Sequence, residues 1–323
     1  MSPTPRMLLF ALIAGASLAP AHAQEFPRQP VRIITANAAG GAADINARRL
    51  AERLNKKWQQ PVIVQNLASA GGSVAAGTVA GATPNGHTLL FAFHPLIAVN
   101  PILYAKQPFD ADRDFSPVVL LTKTPHVLLV NAGFPASTLA EFITVAKART
   151  GGVNFGSGGA GSSMHLASEL LKDTAGIDLR HIPYKGSAPA ATALMGNEIQ
   201  MLFDATTTAI GHIRGGRLRG IAIAALSRAA ALPEIPTFDE SGIRGFESAI
   251  GHGILVPAKT PPAVVAQLNQ VINEAIREPE YAKPMTEGGA LIIGGTARDF
   301  STYLDSERAK WSAIIKRQGI RAE

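Results

Sequence analysis

Twice along the chain a short apolar run gives way to a glycine-rich loop and then to a helix-periodic stretch, and this recurrence limits the folds open to it. The first copy reads VRIIT, ANAAGGAAD and INARRLAERLNKKW over 31–58; the second reads VNF, GSGGAGSS and MHLASELLKD over 153–173. Ala47, Leu50, Ala51, Leu54 and Trp58 form the stripe of a half-buried helix, and Met164, Ala167, Leu171 and Thr174 share one side of another. Each helix leads to a further strand-like run, PVIVQN (61–66) and LRHIPY (179–184), and HTLLFAF (87–93) adds a third to the first unit. Strand, loop, helix, strand in this order predicts an α/β fold with mostly parallel sheets. A chain of 323 residues is longer than one core usually organises. The two like units are therefore expected to form two α/β lobes.

The remaining segments suggest how the lobes connect. FSPVVLLT (115–122) and HVLLVN (126–131) read as a pair of strands separated by Lys123, Thr124 and Pro125, suited to a crossover. Thr260 reads as an N-cap ahead of Pro261 and Pro262, with Val264, Leu268, Val271, Ile272 and Ala275 as the buried face. The last helix should start at Thr296, with Asp299 completing a capping box, and carry Phe300, Tyr303, Leu304, Glu307, Trp311, Ile314 and Ile315 near one side. A terminal helix of that length is expected to pack back onto the first lobe. The division is then 24–123 plus 247–323 for lobe one and 124–246 for lobe two.

Composition removes several classes of function. The opening MSPTPRMLLFALIAGASLAPAHAQ has Arg6, an apolar run from Met7 to Leu18 and the small-x-small pattern Ala21-His22-Ala23, which predicts a signal peptide over 1–23 cleaved after Ala23. The protein is thus expected in the periplasm. There are no cysteines, so disulfides, thiol nucleophiles and cysteine-ligated metals are excluded. The histidines have no H-x-x-x-H pairing, which argues against a metal site. The net charge is +6; loss of Arg6 with the leader leaves +5, spread without a basic run. With 6% aromatic residues and no basic–aromatic interleaving, no nucleic-acid footprint is visible.

The loop NFGSGGAGSSMHL (154–166) leaves two chemistries to weigh. Gly156, Gly158 and Gly161 fit G-x-G-x-x-G, but a dinucleotide site needs an acid at the end of the following strand, and that end is Pro183-Tyr184-Lys185. No G-x-S-x-G elbow is present, and Ser157, Ser162 and Ser163 have no base assignable by sequence, although His165 is near. His165 equally suits a helix residue bonded to a neighbouring backbone or serine oxygen. The loop does suit anion capture, through unpaired N–H groups at a helix start and the hydroxyls of Ser162 and Ser163. The loops at 36–44 and 69–73 repeat the pattern, and the three are expected to converge on one cleft. The alternative is an exported enzyme, nucleotide-dependent or a hydrolase, using the same cleft.

Many ordered stretches carry a resemblance, among them PVRIITANAAGGAADINARRLAERL, NPILY, DFSPVVLL, VNFGSGGAGSSMHLASELL, HIPYKGSAPA, MLFD and LPEIPTFDESGIRGFE. Along essentially its whole mature length the chain resembles the periplasmic solute receptors of tripartite tricarboxylate transporters, the Bug family. That resemblance implies a two-lobed periplasmic binding protein fold, type II-like, closing as a Venus flytrap over a small carboxylate: a dicarboxylate, an acidic amino acid or an aromatic acid. It implies no cofactor, no metal and no catalysis. The expected partner is an inner-membrane permease, with a membrane sensor as a further possibility, and the receptor is expected to act as a monomer. By position, Asn37, Ala39, Gly41 and Asp44 would face the distal end of the ligand, with Ala70, Gly71, Gly72, Phe93 and His94 lining the same lobe. Ser157, Ser162, Ser163 and His165 would hold the proximal carboxylate, and Asp204 would stand at the cleft wall. The first loop, ANAAGGAAD, lacks the family's usual preceding proline and its hydroxyl before the aspartate.

Overall fold

The computed structural model describes residues 26–37, 39–40, 42–67, 72–104 and 106–321; the leader assigned to 1–23 lies outside them. The chain opens with β1 (Val31–Thr35), α1 (Ala42–Trp58), β2 (Val62–Asn66), α2 (Ser73–Ala80) and β3 (Thr88–Phe93). The short α3 (His94–Ala98) and α4 (Asn100–Leu103) then lead to β4 (Phe115–Asn131). A second run follows: α5 (Leu139–Ala148), β5 (Val153–Ser157), α6 (Ser163–Ala175), β6 (Leu179–Pro183), α7 (Ser187–Met195), β7 (Met201–Ala205), α8 (Thr206–Arg214) and β8 (Leu218–Ile223). The return is β9 (Ala249–Pro257), α9 (Pro262–Arg277), α10 (Pro279–Glu287), β10 (Leu291–Gly294) and α11 (Ala297–Gln318).

Strands β2, β1 and β3 are parallel, as are β6, β5 and β7, so both glycine-loop units form the parallel sheets that their alternation predicts. The strand order β2-β1-β3-β9-β4-β7-β5-β6 joins them through β4. Residues 115–131 are one strand of 17 residues, not the two separated strands expected. Pro125 is the last residue paired with β9, and His126 is the first paired with β7. The proline therefore marks where β4 changes partners, and the strand runs on through it. β10 and β8 pair with β4 in its first and second halves respectively.

Each half of the sheet has helices on both faces. In the first, α1 contributes Ala47, Leu50, Ala51 and Leu54 and α9 contributes Leu268, Ile272, Ala275 and Ile276 to one core. The N-cap of α9 is Pro261 with Pro262 at N1, while the Thr260 hydroxyl donates to Pro257 O at 2.7 Å, so Thr260 closes the preceding turn instead of capping the helix. In the second half, Phe142, Phe155, Ala167, Leu171 and Phe203 share a core. Thr174 lies outside that stripe; it is exposed and its hydroxyl bonds Leu170 O.

Helix α11 has the expected capping box between Thr296 and Asp299. Phe300 and Leu304 pack in the first lobe, whereas Trp311, Ile314 and Ile315 pack with Val99 and with Leu166 of α6. The helix thus crosses from one lobe to the other. Its 22 residues extend about 33 Å, long enough to do so. Each buried apolar side chain contributes roughly 1.5–3 kcal/mol, so the strap is held at both ends.

At the middle of α11, Glu307 is a buried anion. It accepts from Trp311 Nε1 at 2.8 Å and Lys310 Nζ at 2.6 Å, and His94 Nε2 lies 3.2 Å away. Because His94 Nδ1 accepts from Gly251 N–H at 3.0 Å, its proton sits on Nε2 and the ring donates to Glu307 as a neutral imidazole. Burial alone would raise the Glu307 pKa, but the His94 and Lys310 donors outweigh it and hold the carboxyl at about 2. A carboxyl held below its unfolded value of 4.5 adds stability above that pH and loses it as pH falls toward 2. We expect the wild-type protein to lose about 3 kcal/mol over this window through Glu307. Glu307→Gln should be less stable at pH 7 and show a flatter profile from pH 5 to 2 in urea titrations; parallel profiles would contradict the assignment.

Candidate ligand-binding site

A cavity of about 700 Å3 opens between the lobes at the carboxyl ends of the parallel strands, where open α/β sheets place their ligands. Its floor is made by β4 and β9, with Thr124 and His126 from β4 and Ile250 and His252 from β9. Burial holds both imidazoles near pKa 4, so they are neutral at neutral pH. Two contacts between the lobes flank the cavity. Leu103 of α4 lies against Gly161, where a Cβ would come within 2.4 Å of Leu103 Cδ1. The Thr206 hydroxyl donates to Gly289 O at 2.8 Å, and a Cβ on Gly289 would meet Thr206 at 2.9 Å. Both glycines have positive φ, +73° and +87°, so the close approach and the backbone conformation favour the same residue.

Four helices of eight or more residues present their first turns to the cavity. They contribute Ala43 and Ile45 from α1, Ser163 and Met164 from α6, Ser187 from α7, and Thr207 and Thr208 from α8. Unpaired N–H groups and aligned peptide dipoles make such ends favourable for a negative charge, by ~0.3–2 kcal/mol each. Pro284 and Met285 of α10 and the Gly288 that follows the helix also line the cavity. Apolar atoms from Ile45, Phe93, Leu103, Tyr104 and Met285 complete much of the wall.

Of the residues singled out from sequence, Asn37, Phe93, Ser162, Ser163 and Asp204 line the cavity. The Ser162 hydroxyl caps α6, accepting from His165 N at 3.3 Å, and Ser163 Oγ lies 3.2 Å from His126 Nε2. Gly41, Ala70 and Gly71 lie outside the described residues. Ala39 is exposed and does not line the cavity. Asp44 is buried and fully engaged, accepting from Gly40 N–H, Arg48 Nε and Asn66 Nδ2 at 2.9, 2.9 and 2.8 Å. Burial would raise its pKa, but these donors bring it below the usual value. Its work is to tie the first loop to β2. Gly72, at φ +94°, packs so closely that a Cβ would meet Ala36 at 2.8 Å.

Three more of these residues do not line the cavity. His94 turns to Glu307 and away from the cavity. Ser157 is wholly buried, accepts from Gly159 N–H and lies 2.6 Å from His181 Nε2. His165 Nδ1 accepts from Gly161 N–H at 3.1 Å, and its ring stacks on His181 at 3.8 Å. His165 and Ser157 therefore hold the loop's shape from within, and the reading of His165 as a residue bonded to neighbouring backbone is the one its geometry fits. The glycine spacing also dissolves into separate causes. Gly156 gives way to Ile199, Gly158 faces the cavity, and Gly161 meets Leu103.

Sequence reasoning missed Arg49, Asn46, Tyr104, His126 and His252, all of which line the cavity. A signal for Arg49 existed. Arg48 is one turn after Asp44 and pairs with it, so the next arginine must point about 100° away, off that face. A second depression, about 740 Å3 beside the start of α9, is a weaker candidate because its polar groups are already engaged. Asn269 Nδ2 donates to Val118 O and Gly295 O, and the Thr296 hydroxyl pairs with Asp299.

Asp204, at the end of β7, is 3% exposed; its Oδ1 accepts from Ala205 N–H at 2.8 Å. Burial dominates and raises its pKa from 3.8 to about 6, against the opposing hydrogen bonds from Thr208 and Ala205. A carboxyl raised in this way costs stability as pH climbs from about 4 through 6, here by about 3 kcal/mol. Asp204→Asn should remove that slope and raise Tm at pH 7 relative to wild type, as read by thermal unfolding between pH 4 and 7. An unchanged slope would refute the raised value.

With this geometry in view, similarity to known proteins becomes informative. The family model for the tripartite tricarboxylate transporter family receptor matches residues 46–320. The chain is 35% identical over 291 residues to the "UPF0065 protein in tcbD-tcbE intergenic region" of Pseudomonas sp. (strain P51), covering 90% of this chain and 86% of that protein. Among solved structures, Rhodopseudomonas palustris MatC with bound malate is 30% identical, with TM-score 0.74 over 90% of this chain and 100% of that one. R. palustris Rpa4515 with adipate is 28% identical, with TM-score 0.80 over 92% and 99%. The matching family is one of transporter receptors, and the similar solved structure of BugD is that of a periplasmic binding protein, which leaves the exported-enzyme reading without support. The chain has the α/β periplasmic binding protein fold and belongs to the tripartite tricarboxylate transporter receptor family.

Proposed function

We propose that the protein is a periplasmic receptor that captures a small carboxylate in the interlobe cleft by lobe closure and delivers it to an inner-membrane permease of the tripartite type. The observation that carries this reading is the convergence of four helix N-termini, with the Ser162 and Ser163 hydroxyls, on one cavity of about 700 Å3. Relatives of similar architecture holding malate and adipate support the carboxylate assignment. In this reading, Ser162 and Ser163 hold one carboxylate and Asn37 and Phe93 face its far end, while Asp204 lends the wall a group that takes up a proton near pH 6.

The division into lobes, 24–123 plus 247–323 and 124–246, follows from the same reading. The hinge in this reading is the stretch of β4 around Pro125, where that strand passes from its ladder with β9 to its ladder with β7. Charge-assisted hydrogen bonds of ~1.5–3 kcal/mol each allow a micromolar constant after ordering costs are met.

A thermal-shift panel of mono- and dicarboxylates, with NAD(H) as contrast, tests the function. Stabilisation by at least one carboxylate is expected; stabilisation by NAD(H) alone would overturn the reading. Ser162→Ala combined with Ser163→Ala should weaken carboxylate binding by about 100-fold in calorimetry and cost about 1 kcal/mol of stability through the lost cap. Unchanged affinity would remove these hydroxyls from the site.

A further inference from the structure

Helix α1 carries five cations, Arg48, Arg49, Arg53, Lys56 and Lys57. Four of them have acids. Arg48 pairs with Asp44 at 2.9 Å, Arg53 lies 3.7 Å from Glu280, Lys56 lies 3.4 Å from Glu52, and Lys57 lies 3.0 Å from Glu278. Arg49 has no ion pair or hydrogen bond among the described residues, and it is the one of the five that lines the cleft. Its Nε is shielded from solvent and unpartnered. A charged donor in that state is costly unless an acceptor arrives from elsewhere.

The cleft itself supplies none. The one acid among its described lining residues, Asp204, bonds the Ala205 N–H and the Thr208 hydroxyl on the second lobe. The histidines of the floor, His126 and His252, are neutral imidazoles at neutral pH. Arg49 sits on the first lobe and the Ser162–Ser163 pair on the second, so the cleft has an anion-receptive group on each jaw. Ile45, Phe93, Leu103 and Met285 make much of the lining hydrocarbon. A guanidinium fork matches a carboxylate through two parallel N–H donors, which gives orientation as well as charge.

We propose that Arg49 pairs directly with a second acidic group of the ligand, so that the cleft selects carbon-chain diacids over monoacids of equal length. This rests on the carboxylate-receptor reading above and adds to it a specificity-determining residue and the class of ligand that residue selects.

Isothermal titration of the mature protein with α,ω-diacids of about four to eight carbons and their matching monoacids tests the assignment, in wild type, Arg49→Met and Arg49→Lys. Wild type should bind at least one diacid about tenfold or more tightly than its monoacid. Arg49→Met should weaken that diacid by about tenfold or more and leave the monoacid within about twofold, while Arg49→Lys keeps part of the preference. Equal weakening of both acids, or no change in either, would overturn the role of Arg49. Monoacids bound as tightly as diacids by wild type would overturn the diacid selection alone and leave the receptor reading standing. Binding of neither class by wild type would overturn both.

Discussion

Between Phe115 and Asn131 a single strand passes from a ladder with β9 and β10 to a ladder with β7 and β8, and this continuity sets where the other elements can go. The parallel strands on either side are oriented so that their carboxyl ends meet above the crossing. The cleft is therefore a consequence of topology before any side chain is chosen. Its floor includes Thr124 and His126, the residues of β4 on either side of the point where that strand changes partners. Helix α11 gives a second connection, with Phe300 and Leu304 in one lobe and Trp311, Ile314 and Ile315 against α6 of the other. Glu307 sits midway along it, fixed by donors from α3 and from its own helix.

The electrostatics of the cleft follow from where helices begin. First turns of α1, α6, α7 and α8 bring unpaired N–H groups to one space, and the nearby histidines are held neutral by burial, so favourable potential for an anion comes from backbone more than from side-chain charge. Against this background Arg49, unpaired among the described residues, and Asp204, with its raised pKa, are the Arg and Asp side chains that line the cleft. Asp204 costs the unliganded protein stability at neutral pH, the kind of local cost expected where a binding surface must stay open to a partner that arrives later.

The sequence made the architecture legible because two periodicities, of strand and of helix, alternate without interruption through both units. It was less legible at Pro125, where a proline inside a strand looks like a break until one sees that the strand changes neighbours there. At the site, Ser162 and Ser163 were readable because hydroxyls directly before an amphipathic helix have a defined place in its first turn. His165, Ser157, His94 and Asp44 were not, since residue type alone does not reveal whether a polar group faces the ligand or the loop that carries it. Each is satisfied by a backbone N–H: Gly161, Gly159, Gly251 or Gly40. Arg49 was hidden for the opposite reason. Adjacent arginines look equivalent in a string, and only the pairing of Arg48 with Asp44 turns its neighbour toward the cleft.

The most direct test of a carboxylate receptor built on helix N-termini is a crystal structure of the protein with a carboxylate that stabilises it. The account predicts an acid group at the start of α6, within hydrogen-bond distance of the Ser162 or Ser163 hydroxyl and its neighbouring N–H groups, with the lobes in contact at Leu103 and Gly161. A ligand bound outside the interlobe cleft, or within it but turned with its carbon chain toward Ser162 and Ser163, would contradict it.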